Sequence, residues 1–314
     1  VGVGGARTYL EVNATGVNLS YQWKKDGVDI TGATSRTLSI ADLNASQHEG
    51  NYTVVVNNSL GSVTSSVIQL DVNGSLTEGL VGWWKFDELD GNISYDSSGN
   101  GNDGNLTNGP TWTDGKIGGA LSFDGIDDYM ITPNFEGIGG TNPRSITAWI
   151  KTTTLDGIIC SYGNIQAGER WTFRVSGPDG SIRTEIENGF KNGHNPVNNG
   201  QWTLVSSILN SGSDNISDVV HYVNGNFENY SDLTPLLLDT NLSSKFIVGG
   251  RLKTDGTLGL WHRFNGLIDD IRLYDRALSA FEVKALYELG EQPVQEGGSG
   301  TTTVVNGTVA DGSI

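Results

Sequence analysis

Along most of the chain, apolar and polar residues alternate in short runs of roughly five to eight, each bounded by Gly, Asn or Asp. A period of two sends successive side chains to opposite faces of an extended backbone, so the pattern demands half-buried β-strands. Forty-four glycines supply the turns between them. Written this way, 314 residues make an all-β protein long enough for two separate cores.

The cadence divides the chain. In residues 1–73, LSYQWK alternates and carries Trp23 inward, Asp26-Gly27 reads as a turn, and TLSI, HEGNYTVVVNN and GSVTSSVIQLDV supply further strands. The motifs YQWKKDG, GATS and EGNYTVVVNN resemble the disulfide-free immunoglobulin-like repeats of large prokaryotic surface proteins. That resemblance implies a β-sandwich with Tyr52 at the tyrosine corner. It also implies that Val12 and Val54 stand where vertebrate domains carry bridging cysteines, so the core closes by packing. The family normally begins with a further segment, whereas only VGVGGA precedes RTYLEVNAT. The first edge strand is therefore expected to be mostly missing, which leaves backbone groups to be covered by something else.

After the polar linker NGSLTEG, residues 79–290 carry a longer series of strand-like runs, from LVGWWKFDE to FNGLIDDIRLYDRAL, as expected of one large antiparallel sandwich. One helix is predicted near the end. Ser279 and Glu282 form a capping box, Leu278 and Val283 a hydrophobic staple, Phe281, Leu286 and Leu289 an apolar side, and Gly290 a stop. The motifs GLVGWWKFDE, DSSGNGNDG, GALSFDGIDDY, YVNG and FNGLIDDIRLYDRALS resemble the laminin-G-like, concanavalin A-like jelly roll of bacterial and archaeal surface proteins. A fold of this kind hosts glycan binding, adhesion and plain spacing, so function must be argued from a site.

Hard cations take six to eight oxygens, and Asp residues cluster at strand ends here. The resemblance implies that the FDG and IDD elements meet and hold a structural Ca²⁺, with Asp124 and Asp270 as leading ligands and Asp87, Asp128 and Asp269 as further ones. The same aspartates can equally cap turns through Asx hydrogen bonds. The DSSGNGNDG loop lacks EF-hand spacing and reads as a glycine-rich turn. For a sugar, Trp261, Trp112, Trp171 and Tyr162 are the candidate platforms, although tryptophan in a jelly roll is most often core. The four histidines lack metal-ligand spacing, the glycanase E-x-D-x-x-E signature and a nucleophile elbow are absent, and Glu185/Glu187 read as a solvated face. Catalysis is not expected.

A net charge of -17 opposes nucleic acid and anionic membrane surfaces as partners. No apolar run is long enough to span a bilayer, and no signal peptide is present, so the chain reads as a mature or truncated form. The lone Cys160 excludes an intrachain disulfide. Sequons stand at Asn13, Asn18, Asn44, Asn51, Asn57, Asn73, Asn92, Asn105, Asn215, Asn229, Asn241 and Asn306. Chance would give about 5 for this content of Asn, Ser and Thr. The excess points to N-glycosylation and an archaeal cell surface. Residues 291–314 pair a flexible linker with TTTVVNGTV, a segment capable of a strand. Together these features predict a non-catalytic extracellular structural or adhesive glycoprotein. Its tail would complete the next copy's first domain, giving head-to-tail filaments. The competing expectations are a calcium-dependent glycan-binding module and an accessory domain of a secreted hydrolase. Partners are then copies of itself, neighbouring surface proteins or glycans.

Overall fold

The alternating runs pair as ladders in the computed structural model, which describes residues 2–4, 7–41, 43–70, 72–176, 179–253, 257, 259, 262–291 and 301–305. They form sheets of two, three, five, eight and nine strands, and the fold is all-β as expected. The chain divides into two units, Val1–Thr77 with Glu288–Ile314, and Glu78–Tyr287. Among the described residues no helix is long and apolar enough to cross a membrane.

In the smaller unit, Thr8–Val12 pairs antiparallel with Thr37–Ile40, while Ser20–Lys25 and Gly50–Asn58 lie at the centre of the five-stranded sheet. Alternation delivers Leu10, Val12, Leu38 and Ile40 from one sheet and Trp23, Tyr52, Val54 and Val56 from the other into a shared core. Each such side chain contributes roughly 1.5–3 kcal/mol by leaving water. The polar ends of the two large aromatics are satisfied. Trp23 Nε1 donates to the Ser35 carbonyl at 3.0 Å, and the Tyr52 hydroxyl to that of His48 at 2.9 Å. The outer edge of Thr8–Val12 is covered by Thr301–Val305, which pairs with it in parallel from Thr8 opposite Thr301 to Val12 opposite Val305. The tail thus fills a sheet edge of its own chain, where the sequence places it on the next copy.

The larger unit holds the eight- and nine-stranded sheets, with their apolar faces meeting in one core. The helix Ala280–Glu291 begins at the predicted capping box: Ser279 N donates to Glu282 Oε2 at 2.8 Å, and Glu282 N to Ser279 Oγ at 3.3 Å. Val283 and Leu286 are buried, and Tyr287 stacks on Trp149 with ring centroids 5.8 Å apart. Phe281 differs from expectation and is exposed. Two residues of helix separate it from Val283 by more than half a turn, which puts it on the other side. The helix also runs through Gly290 to Glu291 rather than stopping at the glycine.

The strand Asn265–Tyr274 pairs with Gly119–Asp124, Arg144–Lys151 and Leu80–Trp84. Strict alternation from the buried Ile268 would turn Asp270 into the core and Ile271 out of it. A bulge prevents this: the register shifts between Thr147 and Trp149 on the facing strand, and Asp270 takes a positive φ of 46°. Ile271 and Leu273 return to the core, and Asp270 and Arg272 share the opposite face. There they form a nearly buried ion pair at 3.0 Å, with Trp83 Nε1 also donating to Asp270 at 2.5 Å. Removing one partner of a buried pair strands the other charge. Asp270→Ala is expected to lower unfolding free energy by about 3 kcal/mol in urea titrations. A loss under about 1 kcal/mol would contradict this role.

Candidate functional site

The expected metal ligands do not form one cluster. Gly119–Asp124 does pair with Asn265–Tyr274, but Asp124 lies opposite Asn265. Asp270 is held by Arg272. Asp269 accepts the backbone N–H groups of Lys116 and Ile117 at 2.7 and 2.8 Å, and Asp87 accepts that of Gly119 at 2.7 Å. What converges among the described residues is Asp124, Asp127 and Asp128, each offering one oxygen within 4.8 Å of the others. Two of these carboxylates also shape the loop. Asp128 Oδ2 accepts from Asp124 N, and Asp124 Oδ1 from Ile126 N. Burial, then the charges of Asp124 and Asp127, push the Asp128 carboxyl above its usual value. The DSSGNGNDG loop is closed by its own Asp96, which accepts from Trp83 N, Ser98 N and Asn102 N.

The expected sugar platforms are likewise separate. Trp171 and Tyr162 lie in the core, fastened by the buried Arg144, whose guanidinium sits 5.0 Å from the Trp171 ring centre and 3.4 Å from the Tyr162 hydroxyl. Trp112 is partly buried and donates to the Gly91 carbonyl at 3.0 Å. Trp261 lies outside the described residues.

A cleft of about 460 Å³ opens elsewhere on the larger unit, within the range of small-ligand sites. Its geometry starts from the strand Arg170–Ser176. Trp171, Phe173 and Val175 point into the core, so Arg170, Thr172 and Arg174 occupy the opposite face of the nine-stranded sheet. Gly163, opposite Arg170, has a φ of 90°, and a Cβ there would sit 2.5 Å from the Glu169 carbonyl. Arg170 lines the cleft together with Asn164, Lys245, Leu252 and Lys253. Lys245 is ion-paired with Glu136.

Polar groups extend along this face. Arg174 pairs with Asp156 at 3.1 Å and Glu185 at 3.3 Å, Arg183 lies 3.7 Å from Glu185, and Arg251 3.5 Å from Glu187. Burial opposes ionisation of Asp156, yet His262 and Arg174 hold its carboxyl below the usual range. Glu185 and Glu187 are therefore ion-paired and partly shielded, not the solvated pair expected from sequence. Several buried atoms here find no hydrogen-bond partner: Arg170 Nε and Nη1, Thr172 Oγ1 and Arg174 Nε. Burial pulls the Arg170 guanidinium below the usual arginine value, with Glu187 opposing. The sequence signal that could have found this face is the placement of Arg170 and Arg174 four residues apart in RWTFRVS, with Arg183 in the following strand SIRTE.

The sequons fall on accessible positions. Asn13, Asn18, Asn44, Asn51, Asn92, Asn105, Asn229 and Asn241 are exposed, and Asn57 and Asn215 partly so. Only the backbone of Asn73 is described, and Asn306 lies outside the described residues.

The model of the family described as concanavalin A-like lectin/glucanases superfamily (Laminin_G_3) matches residues 124–284. Among solved structures, domain 4 of AbnA, an extracellular GH43 arabinanase from Geobacillus stearothermophilus in complex with arabinotriose, superposes with a TM-score of 0.50 at 23% identity. That match covers 66% of this chain and 98% of the arabinanase domain. The binding domain of Paraclostridial Mosquitocidal Protein 1 has a TM-score of 0.51 at 17% identity, covering 68% of this chain but only 53% of its own. At such identities the likeness shows a shared fold. No curated protein matches the sequence.

Asp269 gives this region a pH signature. Burial, then the charge of Asp270, pushes its carboxyl up to about 8 against the two amides it accepts, and its Oδ1 has no hydrogen-bond partner. Unfolded chains release this proton near pH 4 and the folded state near pH 8, so this group lowers stability as pH rises through that interval. Asp269→Asn keeps the acceptor without the charge. It is expected to melt about 5 °C higher than the parent at pH 8 and to flatten the pH dependence between 5 and 8. A lower melting temperature at pH 8 would show that the ionised carboxylate is required.

Proposed function

Because the chain belongs to the concanavalin A-like lectin/glucanases superfamily, we propose that its larger unit is a non-catalytic, lectin-like carbohydrate-binding module of an extracellular surface protein. The observation that carries this reading is the cleft beside Arg170, which is large enough for a short oligosaccharide and lined by groups that donate hydrogen bonds. A fold neighbour solved with arabinotriose supports it. Glycoside hydrolysis needs two carboxyl groups free at the scissile bond. Near the cleft Glu185 is paired with Arg174 and Arg183, Glu187 with Arg251 and Glu136 with Lys245, and Glu169 accepts from Asn164, which favours binding without cleavage. Such a module serves equally well beside the catalytic domain of a secreted hydrolase.

The Asp124, Asp127 and Asp128 cluster would give this module a structural Ca²⁺, and the accessible sequons suit a glycosylated surface protein. A glycan array probed with the full chain, with and without calcium, tests the reading. Saturable binding to a defined glycan class, with thermal stability raised by calcium, is expected. Binding to no glycan in either condition would overturn the carbohydrate assignment, and stability indifferent to calcium would remove the ion.

One observation favours a second reading. The parallel pairing of Thr301–Val305 with Thr8–Val12 shows an edge that accepts this segment. A second copy presents the same residues to the same edge, and exchange between copies would build open, head-to-tail filaments. Electron microscopy should then show filaments for the full chain and none for a chain ending at Gly290. Monodisperse particles in both would confine the pairing to a single chain.

A further inference from the structure

Among the described residues the larger unit buries Arg144, Arg170, Arg174 and Arg272, and Arg144 and Arg170 are held in different ways. Arg144 spends all three guanidinium nitrogens. Nε donates to the Asn142 carbonyl, Nη1 to the Ile138 carbonyl and Thr240 Oγ1, and Nη2 to the Gly140 carbonyl. It is a structural bolt. Arg170 is 2% exposed, yet among the described residues Nη2 alone is engaged, by the Leu252 carbonyl at 2.9 Å, while Nε and Nη1 have no hydrogen-bond partner. Burying a guanidinium with donors unused costs stability that packing alone does not return. Its acidic neighbour Glu187 is shared with Arg251, 3.5 Å from a Glu187 Oε2 that itself has no hydrogen-bond partner.

The cleft that Arg170 lines also runs against the charge of the molecule. In a chain of net charge -17, Arg170, Lys245 and Lys253 line it, and among the described lining residues the one carboxylate is Glu136, which Lys245 neutralises. Asn164, Ser243 and Ser244 add polar groups suited to sugar hydroxyls. The unused Nε–H and Nη1–H groups are charged donors of the kind a carboxylate oxygen accepts. We propose that this cleft binds an acidic sugar, with Arg170 receiving the sugar carboxylate and Lys253 reinforcing the selection for negative charge. The assignment rests on the carbohydrate-binding reading and adds the class of glycan.

The test uses the full chain in calorimetric titrations with oligogalacturonate, its methyl ester, 3′-sialyllactose and a neutral galacto-oligosaccharide. One of the two acidic sugars is expected to bind about 10- to 100-fold more tightly than the neutral sugar, and which one identifies the carboxylate's source. For oligogalacturonate, methyl esterification should abolish that advantage. Arg170→Met should lose it as well, while melting no lower than the parent, because a stranded charge is replaced by an apolar chain. A merely structural Arg170 would instead show a lowered melting temperature and unchanged sugar preference. Equal affinity for acidic and neutral sugars would overturn the proposal while leaving a neutral lectin standing. If no sugar binds at all, the carbohydrate reading itself fails. Should Arg170→Met not fold, the acidic-to-neutral comparison on the parent protein still decides.

Discussion

The bulge at Asp270 is the constraint on which the larger unit depends. Its strand pairs with three others, so its alternation sets which side chains of the eight-stranded sheet face the core. One extra residue at positive φ returns Ile271 and Leu273 to that core and leaves Asp269, Asp270 and Arg272 outside it. The charges so expelled are then used. Asp270 neutralises Arg272, and Asp269 holds the backbone at Lys116 and Ile117. A strand without the bulge would put a carboxylate among Ile268, Ile146 and Ile150, at a cost no single core contact offsets.

The nine-stranded sheet obeys the same alternation with a different outcome. Its outer face carries Arg170 and Arg174, with Arg183 directly opposite Arg174 on the next strand. Most of them are answered by acids: Arg174 by Asp156 and Glu185, and Arg183 by Glu185. Arg170 forms no ion pair among the described residues and leaves two nitrogens without hydrogen-bond partners, and it borders the cleft. Stability and ligand recognition diverge at this residue. A group held ready for a partner costs the free protein something, and such conflicts between local rules mark functional positions.

Much of the fold was legible in the sequence because period-two alternation is a local signal that tertiary structure rarely overrides. Trp23 and Tyr52, the capping box at Ser279 and Glu282, and the closed Asp96 loop could all be read from neighbours in the chain. The site was less legible. IDDIRLY looks like a paired metal motif, but the bulge, which depends on three pairing strands, gives its two acids different partners. Trp171 and Tyr162 alternate with Arg170 and Thr172, and residue type alone does not say which face is covered. The strand capacity of TTTVV was legible, whereas its partner was not, since a sheet edge accepts a strand from its own chain or from another.

A crystal structure of the full chain with the best-bound glycan of the array tests the central claim most directly. The account predicts sugar density in the cleft bounded by Gly163, Arg170 and Lys253, with an oxygen of the ligand within hydrogen-bond distance of Arg170 Nε or Nη1. A sugar seated on another face of the protein, with Arg170 still without a partner, would contradict it.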